Sequence, residues 1–402
     1  MIVFQIITFI FIIELLIQVF IRFYKNKFKW FITNDDEIPK FNEKKFKNFL
    51  LESFDFKLGW RQKLNTSGLL KEITNTKTYL DHRNLVNKKK KRLVASFGDS
   101  YVFSNHMNDK NTWEEQISKK NNFNVLNYGV GNYGFDQAII KYENTILPKD
   151  TKIVIIGFVP ETITRIQSSW KHYTEFGNIN GFKPKFDLIR NQLILKPNPI
   201  NSKIKLNQIK KVIIKLRKTD RFYKDRFLKY KFKFPYSLNF FKNFKFNLKI
   251  LFYLIILDLT KILKKNKINE KFQNAMFYSV IERNVKEAHY LYREDYSKKL
   301  LSKLIEKFKK VSSKKKHIPL IVIFPQPQDI NLKSSIFYKT YFENFSKNID
   351  ILDLSSFFSK KDYSKYFLND KYGGHLNKNG NIFVSKIINR QLQKYIQKNY
   401  VN

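Results

Sequence analysis

The chain has 402 residues, 76 of them Lys or Arg against 34 Asp or Glu, giving a formal net charge of +42, and it contains no cysteine. That length suits one large α/β domain with an insertion, or two domains, and is ample for a buried core. The missing cysteine excludes disulfides, thiol catalysis and cysteine-bound metals, and leaves the compartment open. A charge this large suits nucleic acid or an anionic surface. Yet it is mostly Lys, spread along the chain among abundant Asn, Ile, Phe and Tyr, as in a strongly A/T-biased coding sequence. No nucleic-acid motif accompanies it, so no specific nucleic-acid partner is expected; attraction to anionic lipid or acidic glycan stays open.

Residues 1–24 read as a membrane anchor. Ile2 to Phe23 is almost wholly apolar, and about 20 such residues cross a bilayer as a helix. The stretch lacks a basic start and a small-x-small cleavage site, which argues against a removed signal peptide. A helix lying on the membrane surface is the alternative. Gln5, Glu14 and Gln18 are costly in lipid unless they face a partner or the interface. Residues 25–91 read as a polar, irregular stalk and lead-in that ends in the solvated run Lys88 to Lys91. Lys25, Lys27 and Lys29 would favour the cytoplasmic side by the positive-inside rule, a weak guide in a chain that is lysine-rich throughout.

Next comes Leu93-Val94-Ala95-Ser96-Phe97, halted by Gly98-Asp99-Ser100. A short apolar run between a basic cluster and a turn predicts a buried parallel strand. Ser100 then stands at the strand's carboxyl end, where open α/β sheets place their ligands. Asn111 is placed to cap a helix that starts near Trp113, and Phe123 to Asn127 predicts a second strand. The segment from Asn127 to Gly134 holds Gly129, Gly131 and Gly134. Such tight backbone either aims N–H groups at an anion or simply turns the chain from strand to helix. Lys152 to Phe158 predicts a third strand, followed by Val159-Pro160-Glu161-Thr162.

Residues 168–273 interrupt the alternation and read as an insertion over the site. It carries a hairpin between Phe182 and Leu195. Its aromatic residues, Phe186, Phe222, Phe227, Phe232 and Phe234 among them, either stack on sugars or bases or form a core of their own. Ile250 to Leu257 is too short to span a membrane and suits its interface. The alternation resumes with a long helix over Glu282 to Lys310, a strand over Ile318 to Phe324, a helix near Ser334 to Asn344 and a strand over Ile349 to Leu354. His375 lies in the loop Gly373-Gly374-His375 before a last helix. Alternating strands and helices over residues 92–397 predict an α/β domain with a parallel sheet in a three-layer, flavodoxin-like arrangement.

A serine after the first strand and a histidine before the last helix resemble the GDSL, or SGNH, hydrolase superfamily of esterases and acyl transferases, over residues 92–165 and 286–397. The resemblance implies Ser100 as nucleophile, with its own N–H as an oxyanion donor, and His375 as the base. It implies a second backbone donor at Gly131 or Asn132; counted from Asn127, Asn132 takes the family's glycine position. The family's aspartate lies three residues before the histidine, where this chain has Tyr372. Asp370 is therefore the candidate acid, with a Ser–His dyad as the alternative. After the third strand the family carries an asparagine donor, and here Glu161 stands near that place. A carboxylate there repels an oxyanion unless protonated, so Asn132 Nδ2 or Arg165 are the candidate substitutes. No cofactor is expected, and no metal, since His106 and His172 lack ligand spacing. The function expected is that of a single-pass membrane ester hydrolase or O-acyltransferase acting on an acylated glycan or lipid, its catalytic domain favoured outside the cytoplasm. The alternative is a non-catalytic, membrane-tethered binding or assembly protein.

Overall fold

The computed structural model describes residues 1–24, 38–62, 78–79, 82–175, 177–201, 206–230, 234–358, 362–368 and 374–398. Asp370, Tyr372, Gly373, Phe232 and the lysines at 25, 27 and 29 lie outside the described residues.

The core is an α/β layer structure on a five-stranded, wholly parallel sheet. Its strands are β1 (Lys91–Phe97), β2 (Phe123–Asn127), β3 (Ile153–Phe158), β4 (Ile318–Ile323) and β5 (Asp350–Asp353), in the spatial order β5-β4-β3-β1-β2. Every residue of β3 is buried, as expected of a central strand covered on both faces. One face presents Ala95, Phe97, Val154, Ile156, Ile321 and Ile323 to one apolar cluster. The other presents Val94, Val125, Ile153, Ile155, Leu320 and Val322 to a second. Because side chains alternate at period two, each apolar strand feeds both clusters.

The helices labelled here are, in chain order, α1 (Ile2–Tyr24), α2 (Glu43–Glu52), α3 (Ser100–Phe103), α4 (Trp113–Lys120), α5 (Phe135–Asn144), α6 (Tyr236–Lys242), α7 (Phe244–Ile262), α8 (Asn266–Leu291), α9 (Asp295–Lys314), α10 (Ile336–Phe345) and α11 (Lys378–Gln397); a further helix over Leu206–Thr219 lies in the insertion, with shorter pieces elsewhere. Helices α5 and α9 close the first cluster through Ala138, Ile139, Leu301 and Leu304. Helices α4 and α11 close the second through Trp113, Ile117, Val384 and Ile388. The chain passes from β1 outward to β2, then back across β1 to β3. The crevice between β1 and β3 is therefore the point at which the winding reverses, and ligands of open α/β sheets bind there.

The long helix expected from Glu282 to Lys310 is instead two. It breaks at Tyr292–Glu294, where Arg293 N–H bonds Tyr290 O and Glu294 N–H bonds Leu291 O. The buried Tyr292 hydroxyl is spent on Pro160 O at 2.8 Å, and Asp295 starts the new helix where its charge suits the N-terminal dipole. The expected hairpin forms as Lys185–Ile189 against Gln192–Lys196. Arg190 and Asn191 turn it, both at positive φ, as a two-residue hairpin loop requires.

Trp170, Phe182, Phe222, Phe227, Ile250 and Leu254 of the insertion form a third apolar cluster together with Ile17 and Ile21 of α1. Phe186 joins the main core, and Phe234 is exposed. Among the described residues one helix, α1, is long and apolar enough to cross a membrane. Its costly Glu14 does meet a partner: the carboxylate accepts the N–H groups of Tyr236 at 2.6 Å and Ser237 at 2.8 Å, at the start of α6.

Candidate active site

Strand β1 ends in a turn that only glycine fits. A Cβ on Gly98 would stand 2.5 Å from Val102 Cγ2 and 2.8 Å from Gly157 O. Asp99 then caps α3, its Oδ1 accepting Tyr101 N–H at 2.9 Å. That cap presents Ser100 on the first residue of the helix. The guanidinium of Arg83, from the lead-in, closes the far end of α3 by donating to Phe103 O, to Ser104 O at 3.0 Å and to Met107 O. Ser104 leaves the helix in the left-handed conformation.

His375 arrives from the other end of the chain. Its Nε2 lies 2.8 Å from Ser100 Oγ across 275 residues of sequence. Both side chains are nearly buried, each 9% exposed. Tyr101 packs its ring on the imidazole at a centroid distance of 5.0 Å and donates its hydroxyl to Gly374 O at 3.1 Å. The His106 ring lies tilted against the imidazole at a centroid distance of 4.7 Å. Asn381 joins the two blocks, its Oδ1 accepting from Ser104 Oγ and from Trp113 N–H while its Nδ2 donates to Leu376 O and Asn377 O. These contacts hold the pair in register, and Asp99 acts on the imidazole electrostatically.

The glycine loop after β2 packs directly on α3. A Cβ on Gly129 would stand 2.4 Å from Phe103 N, and Asn127 Nδ2 donates to Val102 O at 2.7 Å. The loop's amides are largely spent. Gly129 N–H goes to Asn127 Oδ1, Val130 N–H to Gly98 O, Tyr133 N–H to Val130 O and Gly134 N–H to Gln137 Oε1. Among the described residues those of Ser100, Gly131 and Asn132 donate to no protein acceptor. Trp60 Nε1 donates to Gly131 O at 3.0 Å. In a trans peptide that fixes the opposite direction for the Asn132 N–H. Trp60 is held in turn by Tyr133, which donates its hydroxyl to Trp60 O at 2.6 Å.

Arg165 and Glu161 lie in a buried polar network behind the serine. Arg165 Nη1 donates to Tyr133 O at 3.0 Å and reaches Asp99 Oδ2 at 3.4 Å, and its Nε donates to Glu175 Oε1 at 3.0 Å. Lys171 Nζ lies 2.9 Å from Glu175 Oε2. Burial alone would raise Glu175, but Lys171 and Arg165 hold it down at about 2. Burial raises Asp99 in spite of Arg165. Gln326, on the turn after β4, donates its Nε2 to Glu161 Oε2 at 2.8 Å. Burial, and then the charge of Glu175, push the Glu161 carboxyl above its usual range. Arg165 thus positions Asp99 and the Tyr133 carbonyl.

Reasoning from sequence missed Trp60, Arg83, Tyr101 and Asn381. Trp60 and Arg83 act on segments far along the chain, which no local pattern signals. Tyr101 and Asn381 at least flank the two motifs. Among the described residues no three His, Asp or Glu side chains gather as metal ligands. No family model matches the chain, and no curated protein matches it in sequence.

Proposed function

We propose that this chain is a membrane-anchored ester hydrolase or O-acyltransferase of SGNH type. The observation that carries the reading is the 2.8 Å contact between Ser100 Oγ and His375 Nε2, made where the sheet's winding reverses. A strand order that reads 2-1-3-4-5 when numbered along the chain is the one flavodoxin-like folds share, which supports the finer fold assignment. The N–H groups of Ser100, Gly131 and Asn132, which donate to no acceptor among the described residues, support an oxyanion site.

In this reading Ser100 Oγ attacks the ester carbonyl as His375 Nε2 takes its proton. The oxyanion is held by the amides of Ser100, Gly131 and Asn132. Collapse expels the alcohol, which takes the proton back from His375 and leaves an acyl-serine. Water or an acceptor hydroxyl then attacks, giving up its proton to the same nitrogen, and Ser100 is released with a carboxylic acid or a new ester. A neutral Glu161 does not oppose the oxyanion, and its raised pKa favours that form. The substrate class is an acylated glycan or lipid at the membrane, with α1 as single-pass anchor and the catalytic domain outside the cytoplasm.

The test is turnover of an activated short-chain ester by the full chain. Ser100→Ala should abolish it. Asp370→Asn should slow it if Asp370 orients the imidazole, and unchanged turnover would favour a dyad. No turnover in wild type or in Glu161→Asn, which supplies an amide donor, would point to the tethered binding protein instead.

A further inference from the structure

Helix α7 departs from the pattern of the helices that cover the sheet. Its inner side, Asn247, Ile250, Leu254 and Thr260, is buried against the insertion. Its outer side is apolar as well. Leu248, Phe252, Ile255 and Leu259 recur at steps of four, three and four, and are between 43% and 56% exposed. Leu238 and Phe241 of α6 are exposed too, at 61% and 52%. A helix apolar on both sides is at home in a large core or in lipid.

The position of this surface says which. Helices α6 and α7 sheathe the second half of α1, through the Glu14 cap on α6, through Ile17 and Ile21 in one cluster with Ile250 and Leu254, and through Tyr24 facing Asp258. The part of α1 before Glu14 rises only about 18 Å, and a bilayer's hydrocarbon core is about 30 Å thick. For α1 to cross, its sheathed half must lie in lipid as well, and the outer side of the sheath comes with it. Lys245 and Lys249 border the first turn of the stripe, and Lys261, Lys264 and Lys265 follow its end. Their long stems let the ammonium groups reach anionic headgroups.

We propose that the outer side of α6 and α7 docks into the lipid bilayer beside α1, so that the catalytic domain is fixed to the membrane by two contacts. The insertion is then a membrane-seating element. This rests on the reading of α1 as an anchor and adds a second embedded surface, which holds the domain at a set orientation where a lone helix would let it swing.

The absence of cysteine makes the test clean. Single variants Phe252→Cys and Ile255→Cys place an environment-sensitive fluorophore on the stripe. Phe9→Cys, on the exposed half of α1, is the lipid reference. Ile146→Cys, at 96% exposure in the loop after α5, is the water reference. The full chain is reconstituted in vesicles of phosphatidylcholine with a minority of phosphatidylglycerol. Probes on the stripe should be quenched by lipids carrying an acyl-chain nitroxide and protected several-fold from iodide, as at Phe9. Iodide quenching equal to that at Ile146, in a chain that floats with the vesicles, would overturn this proposal and leave the anchor standing. Protection from both quenchers would mean that protein covers the face, a second copy included, and would overturn it as well. A chain that fails to float would overturn both.

Discussion

Two serine–histidine pairs occupy one domain, and they differ in placement rather than in chemistry. Ser334 Oγ lies 2.9 Å from His289 Nδ1, and His289 Nε2 lies 2.7 Å from Asp329 Oδ1, a serine–histidine–aspartate relay in its bonds. Yet His289 and Asp329 are fully buried, and the other carboxylate oxygen of Asp329 accepts Gln326 N–H at 2.7 Å. This second pair pins α8 to the turn after β4 and so sets Gln326, which bonds Glu161. Ser100 stands at the winding reversal, and its own N–H donates to no acceptor among the described residues. Ser334 is half-buried and Ser100 9% exposed, so exposure does not separate the two; the comparison teaches that a proton relay becomes a site through its placement at the winding reversal, and that the same bonds elsewhere serve as a brace.

The sharpest way to break this comparison is to remove one histidine at a time. His375→Ala should slow ester turnover and covalent labelling by about two to four orders of magnitude, the usual contribution of a general base, and leave the urea midpoint nearly unchanged. His289→Ala should do the reverse. It strands Asp329 in the core and should cost about 3–5 kcal/mol of stability, while folded protein reacts at close to the parent rate. Loss of reactivity in folded His289→Ala would reverse the two assignments.

Trp60→Phe probes the unspent donors. It keeps the ring packing on Tyr133 and removes the bond to Gly131 O, so the Asn132 N–H loses its aim. A fall of up to about tenfold in kcat with little change in KM is expected, short of the 10²–10³ that follows outright loss of an oxyanion donor. An effect on KM alone would make Trp60 a structural prop.

A further effect concerns pH. Glu114 accepts a hydrogen bond from Ser96 Oγ at 3.0 Å, and burial pushes its carboxyl up to about 8. Between the ordinary carboxylate value, about 4.3, and about 8 the unfolded chain has lost this proton and the native chain keeps it. Its contribution to stability is therefore fully present at acid pH and drains away as pH rises through about 8. Urea melts across that range should show the decline in wild type and less of it in Glu114→Gln.

The sheet was legible because each strand is a short apolar run between turn residues, and the Ser100 and His375 loops because each interrupts such a pattern with glycine beside a reactive side chain. The break at Tyr292–Glu294 was not, since the flanking residues are good helix formers and the decisive bond, Tyr292 to Pro160, is tertiary. The parts played by Trp60, Arg83 and the Arg165–Glu175 pair were hidden for the same reason. Helix α7 was read as a short interfacial run because its lysines mask a stripe that only the fold shows to face outward.

The most direct measurement is the location of a covalent adduct. The full chain is treated with a fluorophosphonate, digested and mapped by mass spectrometry, because a serine activated by a base attacks such a reagent and a brace serine does not. The account predicts phosphonylation of Ser100, lost in Ser100→Ala, with Ser334 unmodified. An adduct on Ser334, or intact protein with no adduct at all, would contradict it.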